Sequence, residues 1–312
     1  MADLPNRSLG VLGPEVSVVG LGCNNFGRRV DLEGTRAVVD AALAEGITLF
    51  DTSNTYGDPH GRSEEFLGEV LVGRRDQVVL ATKFGMDMGD GLGPRGSRGY
   101  ILQAVEASLR RLRTDVIDYY WYHQPDGVTP IAETLETLDG LVQAGTVRAI
   151  GASNFSAEQI AEADAVARDR GFAPFTAIQN NYSLLSREAE RAVLPTCERL
   201  GLGFVPFFPL ASGLLTGKYR RGEPAPAGTR LAGRDQAGTA EQFDLVEALE
   251  GYAAARELTL ADVAIGALLA REVVSSVIAG ATKPEQVRAN VAAARWTPDE
   301  HDLAELEELL NR

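Results

Sequence analysis

Residues 117–153 read IDYYWYHQPDGVTPIAETLETLDGLVQAGTVRAIGAS. An apolar run over 117–123 gives way to a polar turn, then to an amphipathic stretch over 131–144, then to a second apolar run over 147–153. Parallel strands joined by a covering helix produce this alternation, because both faces of such a sheet are buried. Outward from here the unit repeats along the chain. Strands are predicted over 18–23, 48–51, 78–83, 117–123, 147–153, 175–180, 203–207 and 276–279. Helical patterns fall between them over 35–45, 63–72, 100–112, 131–144, 157–170, 187–200 and 243–256, with Ser156, Ser186 and Thr259 as N-cap candidates. Eight strands alternating with helices, without a linker or a shift in composition, predict an α/β fold of the (β/α)8 barrel type, one domain over residues 1–312. A hairpin over 8–19, turning at Gly10 and Gly13-Pro14, is expected at the bottom of the barrel, and two helices over 284–293 and 298–310 are expected to finish the chain.

The chain has 312 residues, 45% hydrophobic and 24% charged, the composition of a globular chain with a substantial core. Lys and Arg number 30 against 44 Asp and Glu, a net charge of −14. Such a surface repels phosphate backbones and anionic headgroups, so neither a nucleic-acid nor a membrane partner is expected. The only cysteines, Cys23 and Cys197, are far apart and lack neighbours at metal-ligand spacing, which predicts no disulfide and no metal site and suits a reducing cytoplasm. The polar opening over 1–10 lacks the basic-then-apolar order of a secretory signal. The uncharged stretch 200–217 approaches membrane-span length, but Pro206, Pro209 and four glycines break any helix there, so it reads as a buried strand running into a loop.

Several predicted strands end on polar residues: Asp51, Lys83, His123, the Ser153-Asn154 pair and the Gln179-Asn180 pair. In a parallel barrel every strand opens its C-terminal end on one face, so these residues converge on one rim. Lys83 ends a buried strand and needs a carboxylate, which Asp51 on the neighbouring strand supplies. Tyr56 follows Asp51 on a loop leaning over the mouth. A phenol titrates near about 10 in water, and a neighbouring ammonium is expected to lower that value, making Tyr56 a proton donor and acceptor near neutrality. His123 adds a hydrogen bond at the same spot, whereas His60 and His301 are expected at the surface. The stretches 86–99 and 211–238 are too long for idle connectors and are candidate lids or binding loops. Gly91, Gly93 and Gly96 spell a Gly-x-Gly-x-x-Gly, but Pro94 interrupts it and no strand leads directly into a helix there, so it fails as a dinucleotide fingerprint.

The run Phe50-Asp51-Thr52-Ser53-Asn54-Thr55-Tyr56-Gly57, followed by Ser63-Glu64 and Leu67-Gly68, resembles the signature of the aldo-keto reductase superfamily. Further similar stretches are Gly20-Leu21-Gly22, Ala81-Thr82-Lys83, His123-Gln124-Pro125-Asp126 and Gly151-Ala152-Ser153-Asn154-Phe155. Ser212-Gly213-Leu214-Leu215-Thr216-Gly217-Lys218-Tyr219 and Gly280-Ala281-Thr282-Lys283-Pro284-Glu285-Gln286 extend the resemblance over nearly the whole chain. It implies a nicotinamide-dependent carbonyl reductase on a barrel, with Asp51, Tyr56, Lys83 and His123 as the catalytic tetrad. Tyr56 then protonates the carbonyl oxygen as hydride leaves the nicotinamide, Lys83 lowers the tyrosine pKa, Asp51 holds Lys83, and His123 orients the substrate oxygen.

The same resemblance implies carboxamide contacts from Ser153, Asn154 and Gln179, and ring stacking on Phe207, where the family commonly has tyrosine. Pyrophosphate contacts fall to Leu210, Ser212, Gly213 and Lys218, with Arg230 closing over the dinucleotide. Gly280, Thr282, Gln286 and Asn290 hold the adenosine end, and Lys283 meets a 2′-phosphate, which favours NADP with NAD possible. Two departures bear on this end: many members carry Arg in place of Gln286 and Glu in place of Ala289. Asn24, Asn25, Phe84 and Trp121 face the substrate, a small-molecule carbonyl or alcohol, unless Trp121 fills the barrel interior beneath His123, and the asparagine pair suits a hydroxylated substrate such as a sugar. Two other readings stand beside this one. Similar proteins serve as β subunits of voltage-gated potassium channels, binding NADP as regulatory or sensing partners. A barrel isomerase or aldolase needs a metal constellation or a Schiff-base lysine in apolar surroundings, which Lys83 beside Asp51 does not offer. Surface composition marks no oligomeric interface.

Overall fold

The structure, a computed structural model, describes residues 4–89 and 91–311. Asp90, inside the predicted loop 86–99, lies outside the described residues, as do residues 1–3 of the polar opening. A two-stranded antiparallel hairpin, β1 (Asn6–Ser8) and β2 (Glu15–Ser17), precedes eight parallel strands. These are β3 (Val19–Gly22), β4 (Leu49–Asp51), β5 (Val79–Phe84), β6 (Ile117–Tyr122), β7 (Val147–Ser153), β8 (Phe175–Gln179), β9 (Gly203–Phe204) and β10 (Val277–Gly280). They hydrogen-bond in the order β10-β3-β4-β5-β6-β7-β8-β9. The two ends of this sheet meet, because Phe204 bridges to Val274 and Phe207 to Ile278, and the Ile278 amide donates to the Pro206 carbonyl at 3.2 Å. The sheet is the predicted (β/α)8 barrel. Strand β9 is shorter than the predicted 203–207, since Pro206 has no N–H to give a ladder and the pairing continues only as single bridges.

Among the described residues ten α-helices surround the strands: α1 (Leu32–Ala44), α2 (Arg62–Val70), α3 (Arg98–Leu112), α4 (Ile131–Gln143), α5 (Ala157–Arg170), α6 (Val193–Leu200), α7 (Ala240–Ala254), α8 (Leu260–Leu269), α9 (Pro284–Ala293) and α10 (Glu300–Leu310). Ser156 and Thr259 close capping boxes with Gln159 and Asp262, as their sequence context predicts. Ser186 does not cap a helix. Its hydroxyl bonds to the Glu188 carboxylate, and the predicted helix 187–200 divides into a 3-10 turn (Glu188–Arg191) and α6. The last helix starts at Glu300 rather than 298 because Asp299 accepts from the Asp302 amide and serves as its N-cap. The uncharged stretch 200–217 holds β9 and a 3-10 turn (Ala211–Thr216), and no described helix is long and apolar enough to cross a membrane.

Alternation along the strands sorts side chains into two layers. Leu49, Ala81, Tyr119, Trp121, Ala177, Val205 and Ile278 point into the lumen, where they pack with Leu9 and Val16 of the hairpin. Phe50, Leu80, Phe84, Tyr120, Tyr122, Ile150 and Ile178 point outward into the layer covered by helices. The hairpin therefore stoppers the N-terminal end of the barrel, as predicted. Gly10 makes that close approach possible: its φ is +77°, and a Cβ there would lie 2.1 Å from the Thr176 carbonyl oxygen. Asp51 follows Leu49, and Lys83 follows Ala81, at the two-residue spacing of one strand face, so both side chains enter the lumen at the opposite, open end. Because Leu9 is wholly buried among lumen side chains, Leu9→Ala is expected to destabilise the chain by about 2–5 kcal/mol in denaturant unfolding. A loss under about 0.5 kcal/mol would show that the hairpin does not seal the core.

Candidate active site

The open end of the barrel gathers four titratable side chains from three strand ends and one loop. Lys83, wholly buried, forms an ion pair with Asp51 and donates to the Thr52 carbonyl at 2.8 Å. The other Asp51 oxygen accepts from Gln179 Nε2 at 3.1 Å, so the carboxylate is held from both sides. Tyr56 sits on the loop after β4, where Ser53 and Ser63 fix its backbone: the Tyr56 amide donates to the Ser53 carbonyl and the Ser63 amide to the Tyr56 carbonyl, each at 3.1 Å. The Lys83 ammonium lies 4.9 Å from the centre of the Tyr56 ring. His123 follows β6, its amide bonded to Phe84 at 2.7 Å, and its ring meets Tyr56 edge-on with centroids 5.9 Å apart. Asp51, Tyr56, Lys83 and His123 thus converge as the strand-end reading requires.

Burial sets the ionisation of this group. Desolvation pushes the Tyr56 phenol up, and although the Lys83 charge pulls it down, the net displacement is above the ordinary 10.0. This corrects the expectation that the ammonium brings the phenol toward neutrality: Lys83 acts in the expected direction but burial outweighs it. Desolvation also opposes the Lys83 charge, yet Asp51 and Tyr56 more than offset it and hold the ammonium above its ordinary 10.5. His123 is driven well below 6.5, first by burial and then by Lys83. Near neutrality the mouth therefore holds a protonated phenol, a neutral imidazole and one compensated ion pair.

Of the predicted cofactor contacts, Gln179 and Asn154 touch this group directly, at Asp51 and at the His123 carbonyl. Ser153 ends β7 and Gln179 ends β8, both buried, and Asn154 bonds through Nδ2 to the His123 carbonyl at 3.0 Å and to Ser153 Oγ at 3.1 Å. Phe207 is half-buried at the rim rather than in the core, with Phe208 edge-on at 5.2 Å. Leu210, Ser212, Gly213 and Lys218 share one loop whose backbone is left-handed at Ala211, Ser212 and Gly213, with φ of 46°, 58° and 98°. Non-glycine residues enter that region at a cost of about 1–2 kcal/mol each, a strain that clusters where backbone is shaped for a ligand. A Cβ on Gly213 would meet Lys218 Nζ at 2.6 Å, so the lysine head lies over bare backbone. Arg230 stacks over Phe208 at 4.6 Å and stands near Arg29, Arg28 and Tyr56. Gly280 pairs with Gly22, Thr282 and Gln286 bond to one another at 2.7 and 3.1 Å, and Asn290 is buried on α9.

A dinucleotide fits these residues on one structural ground. Asn24 Oδ1 is a buried acceptor with no hydrogen-bond partner among the described residues, and it lies 3.4 Å from where a Gly280 Cβ would stand, at the mouth. The bare backbone at Gly213 brings the Lys218 ammonium down onto that loop, and the bare backbone at Gly280 lets the Asn24 and Asn25 amides approach it. The loop 211–238 is itself well seated: Leu214, Leu215, Tyr219, Leu231 and Ala237 form a core with α7 and α8.

Of the predicted substrate contacts, Trp121 takes its alternative place inside the barrel and Phe84 lies elsewhere. Trp121 fills the lumen against Tyr119, ring centroids 4.4 Å apart, and Phe84 points outward to stack on Tyr122 at 5.0 Å. The parity of β5 decides the second case, since Lys83 points inward and its neighbour must not. His60 and His301 are exposed. Sequence reasoning missed two participants. Ser53 bonds to His123, and Glu64, wholly buried, joins Thr82 Oγ1 and Arg111 Nε at 2.6 Å each, bracing the strand that carries Lys83. The only signal for Glu64 was its place in the Ser63-Glu64 motif.

A lysine, a carboxylate, a phenol and an imidazole, groups able to exchange protons, stand together at the open end of the barrel. The chain belongs to the aldo/keto reductase family, whose model matches residues 18–311, and it is an oxidoreductase. It is 34% identical over 300 residues to L-glyceraldehyde 3-phosphate reductase of Escherichia coli (strain K12), covering 92% of this chain and 86% of that one. It is 36% identical over 315 residues to aldo-keto reductase YhdN of Bacillus subtilis (strain 168), covering 97% and 92%. A probable voltage-gated potassium channel subunit beta of Oryza sativa subsp. japonica is 34% identical over 304 residues, covering 94% and 92%. Aldo/keto reductases generally use NAD(P)H and act on small-molecule carbonyl compounds.

Because the unfolded chain protonates His123 near 6.5 while the folded chain resists protonation, the unfolded state binds more protons below that pH. The contribution of neutral His123 is complete above 6.5 and is lost as pH falls through the folded-state value. His123→Gln is therefore expected to flatten the stability profile on the acid side of 6.5 in denaturant unfolding, and an unchanged profile would show that the ring is not held neutral.

Proposed function

We propose that this chain, working as a single barrel domain in the cytoplasm, is an NADP-dependent oxidoreductase that interconverts an aldehyde, ketone or sugar carbonyl with its alcohol, Tyr56 serving as general acid/base. The convergence of Tyr56 and His123 over the buried Lys83–Asp51 pair carries this reading. NADP, with NAD as the second choice, supplies or accepts the hydride. Ser153, Asn154 and Gln179 offer amide-compatible donors and acceptors, Phe207 an aromatic face, Leu210, Ser212, Gly213, Lys218 and Arg230 a phosphate-facing loop, and Gly280, Thr282, Lys283, Gln286 and Asn290 the adenosine end.

Tyr56 holds the proton that the reduced oxygen needs, and its raised pKa keeps that proton in place until negative charge develops on the carbonyl oxygen. Once the proton has moved, the phenolate faces the Lys83 ammonium, an interaction stronger after transfer than before. Asp51 and Gln179 keep Lys83 from turning away. His123, neutral, donates to the same oxygen without competing for the proton. Asn24 and Asn25 at the mouth favour substrates with hydroxyls near the carbonyl.

Tyr56→Phe is expected to lower kcat by roughly 100-fold or more while leaving the Kd for NADPH within about twofold, since it removes a proton and little surface. Full turnover in that variant would refute the role of Tyr56. Titration by fluorescence quenching is expected to show tighter binding of NADPH than of NADH, and Lys283→Ala is expected to narrow that gap; equal affinities in the parent chain would remove the preference. Similarity to the rice channel subunit supports a second reading, a regulatory or sensing subunit, for which bound NADPH is expected to turn over once rather than repeatedly.

A further inference from the structure

His123 and Ser53 stand 70 positions apart in the sequence, yet His123 Nδ1 lies 3.2 Å from Ser53 Oγ. Among the described residues no other hydrogen bond reaches that nitrogen, and none reaches Nε2, so Ser53 is the ring's one protein anchor. Ser53 is wholly buried, and its hydroxyl has two lone pairs and one proton to dispose of. The Thr55 amide donates to Ser53 Oγ at 3.3 Å, and the Thr55 hydroxyl, 3.0 Å away, is placed to donate to it as well. With the Thr55 hydroxyl donating, both lone pairs are taken and two acceptors remain for the Ser53 proton, His123 Nδ1 at 3.2 Å and Asn54 Oδ1 at 3.4 Å. The imidazole nitrogen is the nearer and has no other donor.

We propose that Ser53, held by Thr55, is a positioning residue that selects the tautomer of His123 with its proton on Nε2. The proposal rests on the reading of His123 as the group that holds the substrate's carbonyl oxygen. That oxygen can only accept hydrogen bonds, and a neutral imidazole carries a single N–H. A ring protonated on Nδ1 turns a lone pair toward the oxygen and repels it, whereas a ring protonated on Nε2 donates to it. Burial and the Lys83 charge keep the ring neutral, so a doubly protonated imidazole does not bypass the choice. Ser53 therefore fixes the polarity of a ring whose own environment leaves both tautomers uncharged.

Nitrogen-15 NMR of ring-labelled histidine reads the tautomer directly, and with three histidines in the chain a His123→Asn variant assigns the signal. The parent chain is expected to show protonated Nε2 and bare Nδ1. Ser53→Ala is expected to admit the Nδ1–H form and to lower kcat about tenfold, the effect of losing one hydrogen bond, with the Kd for NADPH unchanged. Ser53→Cys, which returns a weak donor in nearly the same volume, is expected to fall between. A parent ring protonated on Nδ1, or a Ser53→Ala ring that stays wholly in the Nε2–H form, overturns the proposal. The spectrum needs no substrate, so failure of every carbonyl compound to react would count against the reductase reading while the tautomer result stands or falls separately.

Discussion

One buried ion pair organises the open end of the barrel. Taking a carboxylate and an ammonium out of water costs several kcal/mol per ion, and the cost is recovered only where the remaining polar atoms also find partners. Here they do. Asp51 accepts from Lys83 on one oxygen and from Gln179 at 3.1 Å on the other, and Lys83 donates to Asp51 and to the Thr52 carbonyl at 2.8 Å. An ammonium has three protons, so one remains beyond these two bonds, and the Tyr56 ring centre lies 4.9 Å from the nitrogen. Four elements, β4, β5, β8 and the loop carrying Tyr56, are thereby tied to a single charge pair. Breaking that pair would strand a buried charge, which gives the mouth a rigidity that strand pairing alone does not supply.

The same burial acts in opposite directions on the two neutral groups. It raises Tyr56, whose charged form is an anion, and lowers His123, whose charged form is a cation. Both are consequently uncharged near neutrality, and the pocket carries charge only where charge is compensated. A proton leaving Tyr56 creates an anion beside Lys83, so the electrostatic reward arrives with the charge that develops during reaction rather than before it. Preorganisation of this kind needs fixed dipoles, and the Ser53-Thr55 hydroxyl chain behind His123 supplies one.

Much of this was legible in the sequence because the relevant signals are local. Strand β7 matches its predicted range, 147–153, residue for residue, and the polar residues Asp51, ending β4, and Lys83, next to last in β5, identified the rim because strand parity carries Leu49 to Asp51 and Ala81 to Lys83 along one face. Where parity was not applied, as at Phe84, the expected substrate contact proved to face the helices. Boundaries shifted where a cap or a proline decides them, as with Asp299 before α10 and Pro206 after β9. The direction of the Tyr56 shift was not legible, because it depends on how much protein from distant strands closes over the phenol. The Ser53–His123 bond was equally hidden, since it joins the loop after β4 to the residue after β6 and follows from barrel closure rather than from any spacing.

The decisive observable is the ionisation of one phenol. Carbon-13 NMR of tyrosine labelled at Cζ, with Tyr56→Phe to assign the signal, follows Tyr56 through alkaline pH in the cofactor-free chain. If burial outweighs the Lys83 ammonium, the midpoint lies above 10.0 and the phenol is fully protonated at neutral pH. A midpoint at or below 10.0 would contradict the dominance of burial and make Tyr56 a tyrosine activated by its lysine.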